Sequence, residues 1–339
     1  MKKKIVSLLA LACAGALALG GLTACGGGNS NNGGGSAAPA ADQVSDDLQF
    51  VTGGESGTYY AFGTVLANYC TNNGGTSVTA LSGNGSQANI QALQDGDANL
   101  AFCQSDVLAY AYEGTNIFEK DGAYKDFSIV GALYQEQVQI VTTNPDIKSV
   151  ADLKGKTVSI GATGSGVYFN AVDILGAYDL DVEADIKAVY QDFGDSTDSL
   201  KNGKIDAAFV VAGAPTTSIT DLATSKPVYL VSLDDEHVEK LLEASPYYAK
   251  ATISKDAYGL DSDTTTVAVL AVILANDNVA EDAVYNFTKS IFDGAAAQAD
   301  AHAKYAELDL ETAASITTVP YHAGAAKYYA EQKLEVATK

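Results

Sequence analysis

The chain alternates between short apolar runs and longer segments in which apolar residues recur every three or four positions. The run L-Q-F-V-T is followed by a helical pattern over 58–70, and T-S-V-T-A-L by one over 86–95; A-N-L-A-F-C-Q then leads into a helix beginning near Asp106. Short β-rich runs predict strands, and a period of three to four predicts amphipathic helices. Strand-helix alternation with connections of this length predicts an α/β protein with a mostly parallel sheet.

One order of elements occurs twice. S-Q-A-N-I-Q-A-L-Q-D-G-D-A-N-L-A-F at 86–102 corresponds to D-S-T-D-S-L-K-N-G-K-I-D-A-A-F at 195–209. Each is a helical pattern ending Leu-x-x-Gly, followed by a buried strand that ends in Ala-Phe, and Gly96 and Gly203 supply the left-handed C-cap. The repeat predicts two α/β lobes of similar internal order.

The strand pattern Q-V-Q-I-V-T-T at 137–143 is broken by Asn-Pro, after which Ser149 is predicted to cap a helix. A strand at 227–233 ends the second lobe, and T-T-T-V-A-V-L-A-V-I-L-A at 264–275 is long enough to cross back into the first. Helical patterns follow at 280–293, 295–306 and 324–336. The predicted organisation is a first lobe of residues 47–143, a second lobe of 144–235, and a return segment of the first lobe at 236–339, with a hinged cleft between the lobes.

The first residues have the pattern of an export signal, with Lys2, Lys3 and Lys4 ahead of a short apolar core. L-T-A-C at 22–25 resembles the lipobox of bacterial lipoproteins, in which the Cys is diacylated and becomes the first residue of the mature chain. The expectation is therefore a signal peptide at 1–24 and a lipidated Cys25 that anchors the protein to the outer face of the bacterial cell membrane. Residues 25–46, rich in Gly, Ser, Asn and Ala, are predicted to be a flexible tether.

Charge and composition limit the partners. The net charge is −22, and all 20 basic residues are Lys. Nucleic acid is excluded as an expected partner because no basic patch is visible. An Arg fork for a carboxylate or phosphate is excluded as well, so an anionic ligand must be held by backbone N–H groups, hydroxyls and amides.

Two cysteines remain once Cys13 is removed with the signal and Cys25 is lipidated. Cys70 lies at the end of a helical pattern and Cys103 inside a strand pattern. In an exported protein the pair could form one disulfide or remain as two buried free thiols, and both alternatives stay open.

One strand-to-helix turn also occurs twice, as F-V-T-G-G-E-S-G-T-Y-Y at 50–60 and as V-S-I-G-A-T-G-S-G-V-Y-F at 158–169. A Ser-Gly turn at the start of a helix leaves backbone N–H groups unpaired in a region of partial positive charge. Gly57 and Gly166 would let a ligand approach the backbone, and Ser56 and Ser165 could donate hydrogen bonds. The alternative is that both serines only cap helices.

These motifs, together with V-P-Y-H-A-G-A-A-K-Y-Y-A-E at 319–331, resemble the TAXI family, the extracytoplasmic solute receptors of TRAP transporters. The resemblance covers about residues 48–335 and implies a two-lobed fold of the type II periplasmic-binding-protein class. By motif it also implies the ligand-binding residues Ser56, Gly57, Thr58, Tyr59, Ser86, Asn89, Gln104, Ser105, Thr163, Gly164, Ser165, Gly166, Ala212 and Gly213.

The resemblance further implies that the solute is glutamate, glutamine or a related dicarboxylate or oxoacid, passed to membrane permease subunits driven by an ion gradient. Glu55 departs from the small or neutral residue expected beside an anion. A carboxylate there would either repel an anionic ligand or bind an α-ammonium group, and this favours an amino acid.

The sequence gives little support for an enzyme, and neither a cofactor nor a metal is expected. His237, His302 and His322 lack the spacing of metal ligands. Asp106, Asp192 and Asp195 could form a carboxylate pair, although helix capping alone explains each of them. The glycines of G-A-T-G-S-G are spaced GxxGxG, unlike the dinucleotide-binding GxGxxG. An ABC-type transporter as partner, or a sensor role, remains open as the alternative.

Overall fold

Strands within residues 46–339, the part of the chain that the computed structural model describes, form one sheet of ten members. The predicted signal peptide, the lipidated Cys25 and all but the last residue of the predicted tether lie outside the described residues. The strands are β1 (Leu48–Val51), β2 (Val78–Leu81), β3 (Leu100–Gln104), β4 (Phe127–Thr142), β5 (Thr157–Ser159), β6 (Lys187–Val189), β7 (Ala207–Ala212), β8 (Tyr229–Leu230), β9 (Ala249–Ile253) and β10 (Thr264–Asn276).

The sheet has the order β2-β1-β3-β10-β4-β7-β5-β6, with β8 beside β4 and β9 beside β10. β1 runs parallel to β2 and β3, and β5 runs parallel to β6 and β7. β4 and β10 are antiparallel to all their partners. The prediction of a mostly parallel sheet is therefore wrong for the middle, where the two long strands β4 and β10 run antiparallel to each other and to the strands beside them.

The helices are α1 (Thr58–Tyr69), α2 (Ser86–Asp95), α3 (Ser105–Glu113), α4 (Val167–Ala177), α5 (Phe193–Lys201), α6 (Thr217–Ala223), α7 (Asp235–Ala244), α8 (Glu281–Asp293), α9 (Ala295–Gln298), α10 (Leu310–Ala313) and α11 (Ala323–Glu331). The predictions at 58–70, 86–95 and 280–293 are confirmed to within one residue at each end. Gly96 ends α2 with a φ of 79°, the left-handed C-cap that its spacing predicted.

Four predicted elements are shorter than expected, and one of them, the helix predicted at 324–336, ends at Glu331. Ser149 forms the predicted capping box, but the segment that it caps is only a 3₁₀ turn, Val150–Leu153. The turn is short because Gly155, with a φ of 76°, changes the direction of the chain. The pattern at 295–306 divides into the short α9 and a second 3₁₀ turn. The strand predicted at 227–233 pairs through two residues only.

Two large hydrophobic cores lie along the sheet. The first gathers buried side chains from 48–134 and 271–329 together with Phe169; the second gathers side chains from 138–269. We call the parts around these cores the first lobe and the second lobe. The predicted α/β fold of two lobes is confirmed. The exact lobe boundaries stay a prediction, and the buried Val238, Leu241 and Val267 pack in the second core.

Strands β4 and β10 each contribute to both cores. β4 packs Ile129 into the first core and Ile140 into the second, and β10 packs Val269 into the second and Ile273 into the first. The segment 264–275, which was predicted to cross back into the first lobe, thus contributes side chains to both cores. The middle of the two strands therefore lies where the lobes meet. Within residues 46–339, no helix combines the length and the apolar character needed to cross a membrane.

Candidate functional site

A cavity lies between the two lobes at the point where several helices begin. Its volume is about 80 Å³, several times the roughly 10–15 Å³ that one water needs. The cavity is lined by Gly53, Gly54, Gly57, Thr58, Tyr59, Gly83, Asn84, Gly85, Ser86, Gln104, Glu136, Ala162, Ser165, Gly166, Val167, Asp192, Phe193, Val211 and Ala212. The starts of α1, α2, α4 and α5 all contribute to this lining.

The first Ser-Gly turn leads the chain from β1 into α1. Gly57 has an extended conformation, and its N–H donates to the carbonyl oxygen of Gly54 at 2.9 Å. The hydroxyl of Thr58 donates to the carbonyl oxygen of Gly213 at 2.9 Å. Since Gly213 follows β7, this hydrogen bond joins the two lobes at the edge of the cavity.

The second Ser-Gly turn leads from β5 into α4 and faces the first turn across the cavity. Ser165 is only 7% exposed, and its hydroxyl has no hydrogen-bond partner among the described residues. A methyl group at Gly166 would lie 1.8 Å from the side-chain oxygen of Gln104. A larger residue at this position would displace the side chain of Gln104, which donates a hydrogen bond to Asn170.

The third helix start at the cavity belongs to α2. Gly85 precedes it with a φ of 103°, a backbone conformation that residues other than glycine rarely adopt. The hydroxyl of Ser86 accepts a hydrogen bond of 3.0 Å from the backbone N–H of Gln104. This contact fixes the end of β3, where Gln104 projects toward the second lobe.

Glu136 is a site residue that the sequence analysis missed. It lies in the middle of β4, is 2% exposed and lines the cavity. Tyr59 donates a hydrogen bond of 2.5 Å to its carboxyl group. Burial raises the pKa of Glu136 to about 8, against the lowering effect of that hydrogen bond. The strand predicted from the sequence began at 137, so Glu136 lay just before it, and nothing in the sequence marked this residue as part of a buried strand.

The carboxyl group singled out by the sequence analysis is not the one at the cavity. Glu55 is exposed and lies outside the lining, so the reasoning that placed it beside the ligand is wrong. Asp192 does reach the lining, and its side chain accepts a hydrogen bond from the N–H of Asp195, which caps α5. Glu136 is thus the buried carboxyl group at the cavity.

The predicted ligand-binding residues divide into two sets. Eight of them line the cavity: Gly57, Thr58, Tyr59, Ser86, Gln104, Ser165, Gly166 and Ala212. Six lie outside the lining: Ser56, Asn89, Ser105, Thr163, Gly164 and Gly213.

Hydrogen bonds explain where three of the outer six lie. The amide of Asn89 donates to the carbonyl oxygens of Thr52 and Phe102 and so ties two strand ends together. The hydroxyl of Ser105 accepts from the N–H of Leu270. The carbonyl oxygen of Gly164 accepts from the N–H of Ala88 at 2.9 Å, which is a second hydrogen bond between the lobes.

The cavity has one electrostatic character at its helix starts and another at Glu136. The first turns of α1, α2 and α4 present backbone N–H groups and partial positive charge, which favour an anionic group. Glu136 supplies a carboxyl group that can accept hydrogen bonds from a cationic group. The arrangement can hold a small molecule that carries a carboxylate, with or without an ammonium group.

The histidines and cysteines have structural surroundings. His302 and His322 accept backbone hydrogen bonds at the starts of short helical segments, and His237 pairs with Asp234. Cys70 and Cys103 are buried free thiols, and burial raises the pKa of Cys103. Residues 46–339 contain no group of three or more His, Cys, Asp or Glu side chains placed to hold a metal ion.

Comparison with known proteins adds a family and a set of similar folds. The sequence pattern of the family described as NMT1-like matches residues 50–332. The alkanesulfonate-binding protein SsuA from Xanthomonas axonopodis pv. citri, bound to MOPS, is 15% identical, with 78% of this chain and 82% of that chain covered and a TM-score of 0.46. The GluR0 ligand-binding core from Nostoc punctiforme, in complex with L-glutamate, is 17% identical, with 73% and 94% covered and a TM-score of 0.42. At these identities the similarity assigns no ligand to this chain.

Proposed function

The chain belongs to the NMT1-like family, and we propose that it is the extracytoplasmic solute-binding receptor of a TRAP transporter. In this role it captures a small solute between its lobes and delivers it to a permease driven by an ion gradient. The TAXI-type motifs of the sequence support the choice of transporter. The cavity between the lobes, bounded by four helix starts and closed by hydrogen bonds from one lobe to the other, is the observation that carries the proposal.

The proposed solute is small and either anionic or zwitterionic, such as a glutamate- or glutamine-like amino acid or a dicarboxylate. Its carboxylate would accept hydrogen bonds from the backbone at the starts of α1 and α4 and from the unpartnered hydroxyl of Ser165. Glu136 favours the amino acid, because a buried carboxyl group pairs with an ammonium and repels a second carboxylate once ionised.

The proposed location follows from the first residues of the sequence. The signal peptide would direct export, and diacylated Cys25 would hold the folded part at the outer face of the cell membrane. The glycine-rich segment after Cys25 would give the receptor enough reach to dock on membrane subunits of the transporter.

A solute receptor of an ABC-type transporter, or a sensor, would use the same cavity and remains the alternative. An enzyme is a weaker candidate, because neither Ser86 nor Ser165 of the described lining is hydrogen-bonded to a His, Lys or carboxylate that could act as its base. Transport assays with the membrane subunits encoded by neighbouring genes distinguish a TRAP from an ABC-type transporter. Uptake driven by an ion gradient supports the proposal, and uptake that requires ATP contradicts it.

Binding is tested by a thermal-shift screen of residues 41–339, which form one compact unit. The protein is unfolded and refolded to remove carried-over ligand, then screened against amino acids, dicarboxylates and oxoacids with an extrinsic dye, since the chain has no Trp. A ligand at about 100 times its dissociation constant adds roughly 2.7 kcal/mol to the free energy of unfolding. A selective shift with one chemical class supports the receptor, and no shift from any compound in folded protein contradicts it.

A further inference from the structure

Helix α4 of the second lobe touches both the cavity and the first lobe. Its N-terminal turn lines the cavity at Gly166, and Gly166, Phe169, Asn170 and Asp173 share one face by their spacing. Phe169 belongs to the core of the first lobe and meets the ring of Tyr110 edge to face, with the centroids 5.8 Å apart. A solute bound at the start of α4 would therefore act on the helix that docks the second lobe onto the first.

Asn170 is the polar centre of this contact and is fully buried. Its side-chain oxygen accepts a hydrogen bond of 2.6 Å from Gln104, a cavity residue of the first lobe. Its amide nitrogen donates to the carboxyl oxygen of Asp106 at 3.0 Å and to the hydroxyl of Tyr248 at 2.8 Å. Tyr248 in turn donates to Asp173 at 2.8 Å. One amide thus connects the cavity to a buried acid in the opposite lobe.

Asp106 lies in the first turn of α3 and is 1% exposed. Besides Asn170, the backbone N–H of Val107 donates to its carboxyl group at 2.9 Å. Asn170 covers Asp106 from the second lobe, so separation of the lobes would return the carboxyl group to water. The titratable groups that face it from its own helix and from neighbouring elements are Cys103, Tyr110, Glu136, Asp173, Tyr247 and Tyr248. None of these side chains carries a positive charge that would favour an ionised Asp106.

We infer that Asn170 is the positioning residue through which solute capture closes the lobes, and that Asp106 makes this closure take up a proton. The inference rests on the proposed receptor function and adds a regulation to the same site. Binding would be tighter where Asp106 can be protonated, and release would be favoured where it must ionise.

The direction of the pH effect follows from burial. Burial raises the pKa of Asp106 to about 7 with the lobes in contact, whereas an exposed Asp has a pKa of about 3.9. The closed form binds more protons, so closure is fully favoured below about pH 4 and weakens as the pH rises toward 7. A single titrating group can change the dissociation constant by at most about tenfold per pH unit.

The experiment measures the dissociation constant by calorimetry at pH 5, 6, 7 and 8 with residues 41–339. The probes are L-glutamate, L-glutamine and 2-oxoglutarate, followed by any other compound that binds in the thermal-shift screen. Asp106→Asn removes the titration and keeps one oxygen, so it retains one of the two hydrogen bonds from Asn170 and Val107 and loses the other at every pH. The dissociation constant of the wild type, divided by that of Asp106→Asn, is expected to rise at least tenfold from pH 5 to 7. Titration of Glu136 occurs in both proteins and so largely cancels in this ratio.

Asn170→Ala tests the positioning role, and Asp97→Asn is the control because Asp97 is an exposed acid on the first lobe. Asn170→Ala is expected to weaken binding at every pH and to enlarge the radius of gyration of the solute-saturated protein in X-ray scattering. Circular dichroism checks that each variant is folded. Asp97→Asn is expected to follow the wild type in both measurements.

Failure of the inference differs from failure of the receptor function. If the ratio of dissociation constants stays constant from pH 5 to 7, or if Asn170→Ala binds and closes like the wild type, the inference is wrong and the receptor function stands. If no compound binds the folded wild type at any pH, the receptor function is wrong and the inference falls with it.

Discussion

The hydroxyl of Tyr59 donates a 2.5 Å hydrogen bond to the carboxyl group of Glu136, and the two side chains join helix α1 to β4, the longest strand of the sheet. The ring of Tyr59 stacks on Phe102, with the centroids 4.5 Å apart, and this fixes the direction of the hydroxyl. Burial raises the pKa of Tyr59, so the phenol keeps its proton and is the donor of this hydrogen bond. Glu136 is thereby held at the cavity.

Glu136→Gln should reduce affinity for the amino acid selectively. A hydrogen bond between charged groups contributes about 1.5–3 kcal/mol, so we expect a loss of about tenfold to a hundredfold for an α-amino acid. The matched 2-oxoacid, which lacks the ammonium group, should change by less than about threefold. Calorimetry on pairs such as L-glutamate and 2-oxoglutarate checks this, and equal losses for both members of a pair would show that Glu136 does not select the ammonium.

The same substitution has a predicted pH dependence. Because the pKa of Glu136 is raised to about 8, an ammonium solute binds at the cost of ionising it, and this cost falls as the pH approaches 8. The ratio of the wild-type affinity for the amino acid to that of Glu136→Gln should therefore grow from pH 6 to 8 and level off above pH 8. A constant or shrinking advantage would contradict the pairing.

Gly166→Ala should prevent the lobes from closing, because the added carbon would lie 1.8 Å from the side-chain oxygen of Gln104. We expect solute affinity to fall at least a hundredfold. Gly176→Ala in the same helix is the matched control, since no atom lies within 4 Å of the added carbon. Calorimetry on both variants is the measurement, and normal binding by Gly166→Ala would remove the second Ser-Gly turn from the site.

Ser165→Ala should weaken binding by about 1–2 kcal/mol, or roughly fivefold to thirtyfold, because the solute would lose its hydrogen bond to the buried hydroxyl of Ser165. Ser56, its counterpart in the first turn, lies outside the cavity lining. Ser56→Ala should therefore change the dissociation constant by less than about twofold. Equal losses in the two variants would indicate that the first turn moves into the site when solute binds.

Cys70 and Cys103 should resist thiol reagents in the native protein, because both are buried and burial raises the pKa of each. We expect residues 41–339 to react with two equivalents of reagent after unfolding without reductant, and with less than about 0.1 equivalent before. Absence of free thiols after unfolding would establish the disulfide that the sequence left open.

Sequence patterns predicted the local elements well and the long-range ones less well. The starts of α1, α2 and α4 follow from Ser-Gly turns and helical periodicity, which are local signals. The antiparallel course of β4 and β10 depends on contacts between distant residues, such as Val272 with Ala132, which no local pattern contains. Strand-helix alternation therefore predicted the outer parts of the sheet correctly and the middle wrongly.

The candidate site shows the same division. Gly57, Ser165 and Gly166 were found because their turns have a sequence signature, and the structure places all three at the cavity. Glu136 and Asn170 were missed because each lies inside a regular element, where nothing in the sequence shows which side faces the other lobe. The packing of α4 onto the first lobe reveals the position of Asn170, and the hydrogen bond from Tyr59 reveals that of Glu136.

Calorimetric titration of refolded residues 41–339 with matched amino acids, oxoacids and dicarboxylates tests most directly whether this protein captures a small solute between its lobes. The prediction is saturable binding of one molecule per chain, selective for one chemical class and tighter for an amino acid than for its matched oxoacid. Absence of binding heat for every compound, at several temperatures and in protein with a native circular dichroism spectrum, would contradict the receptor function.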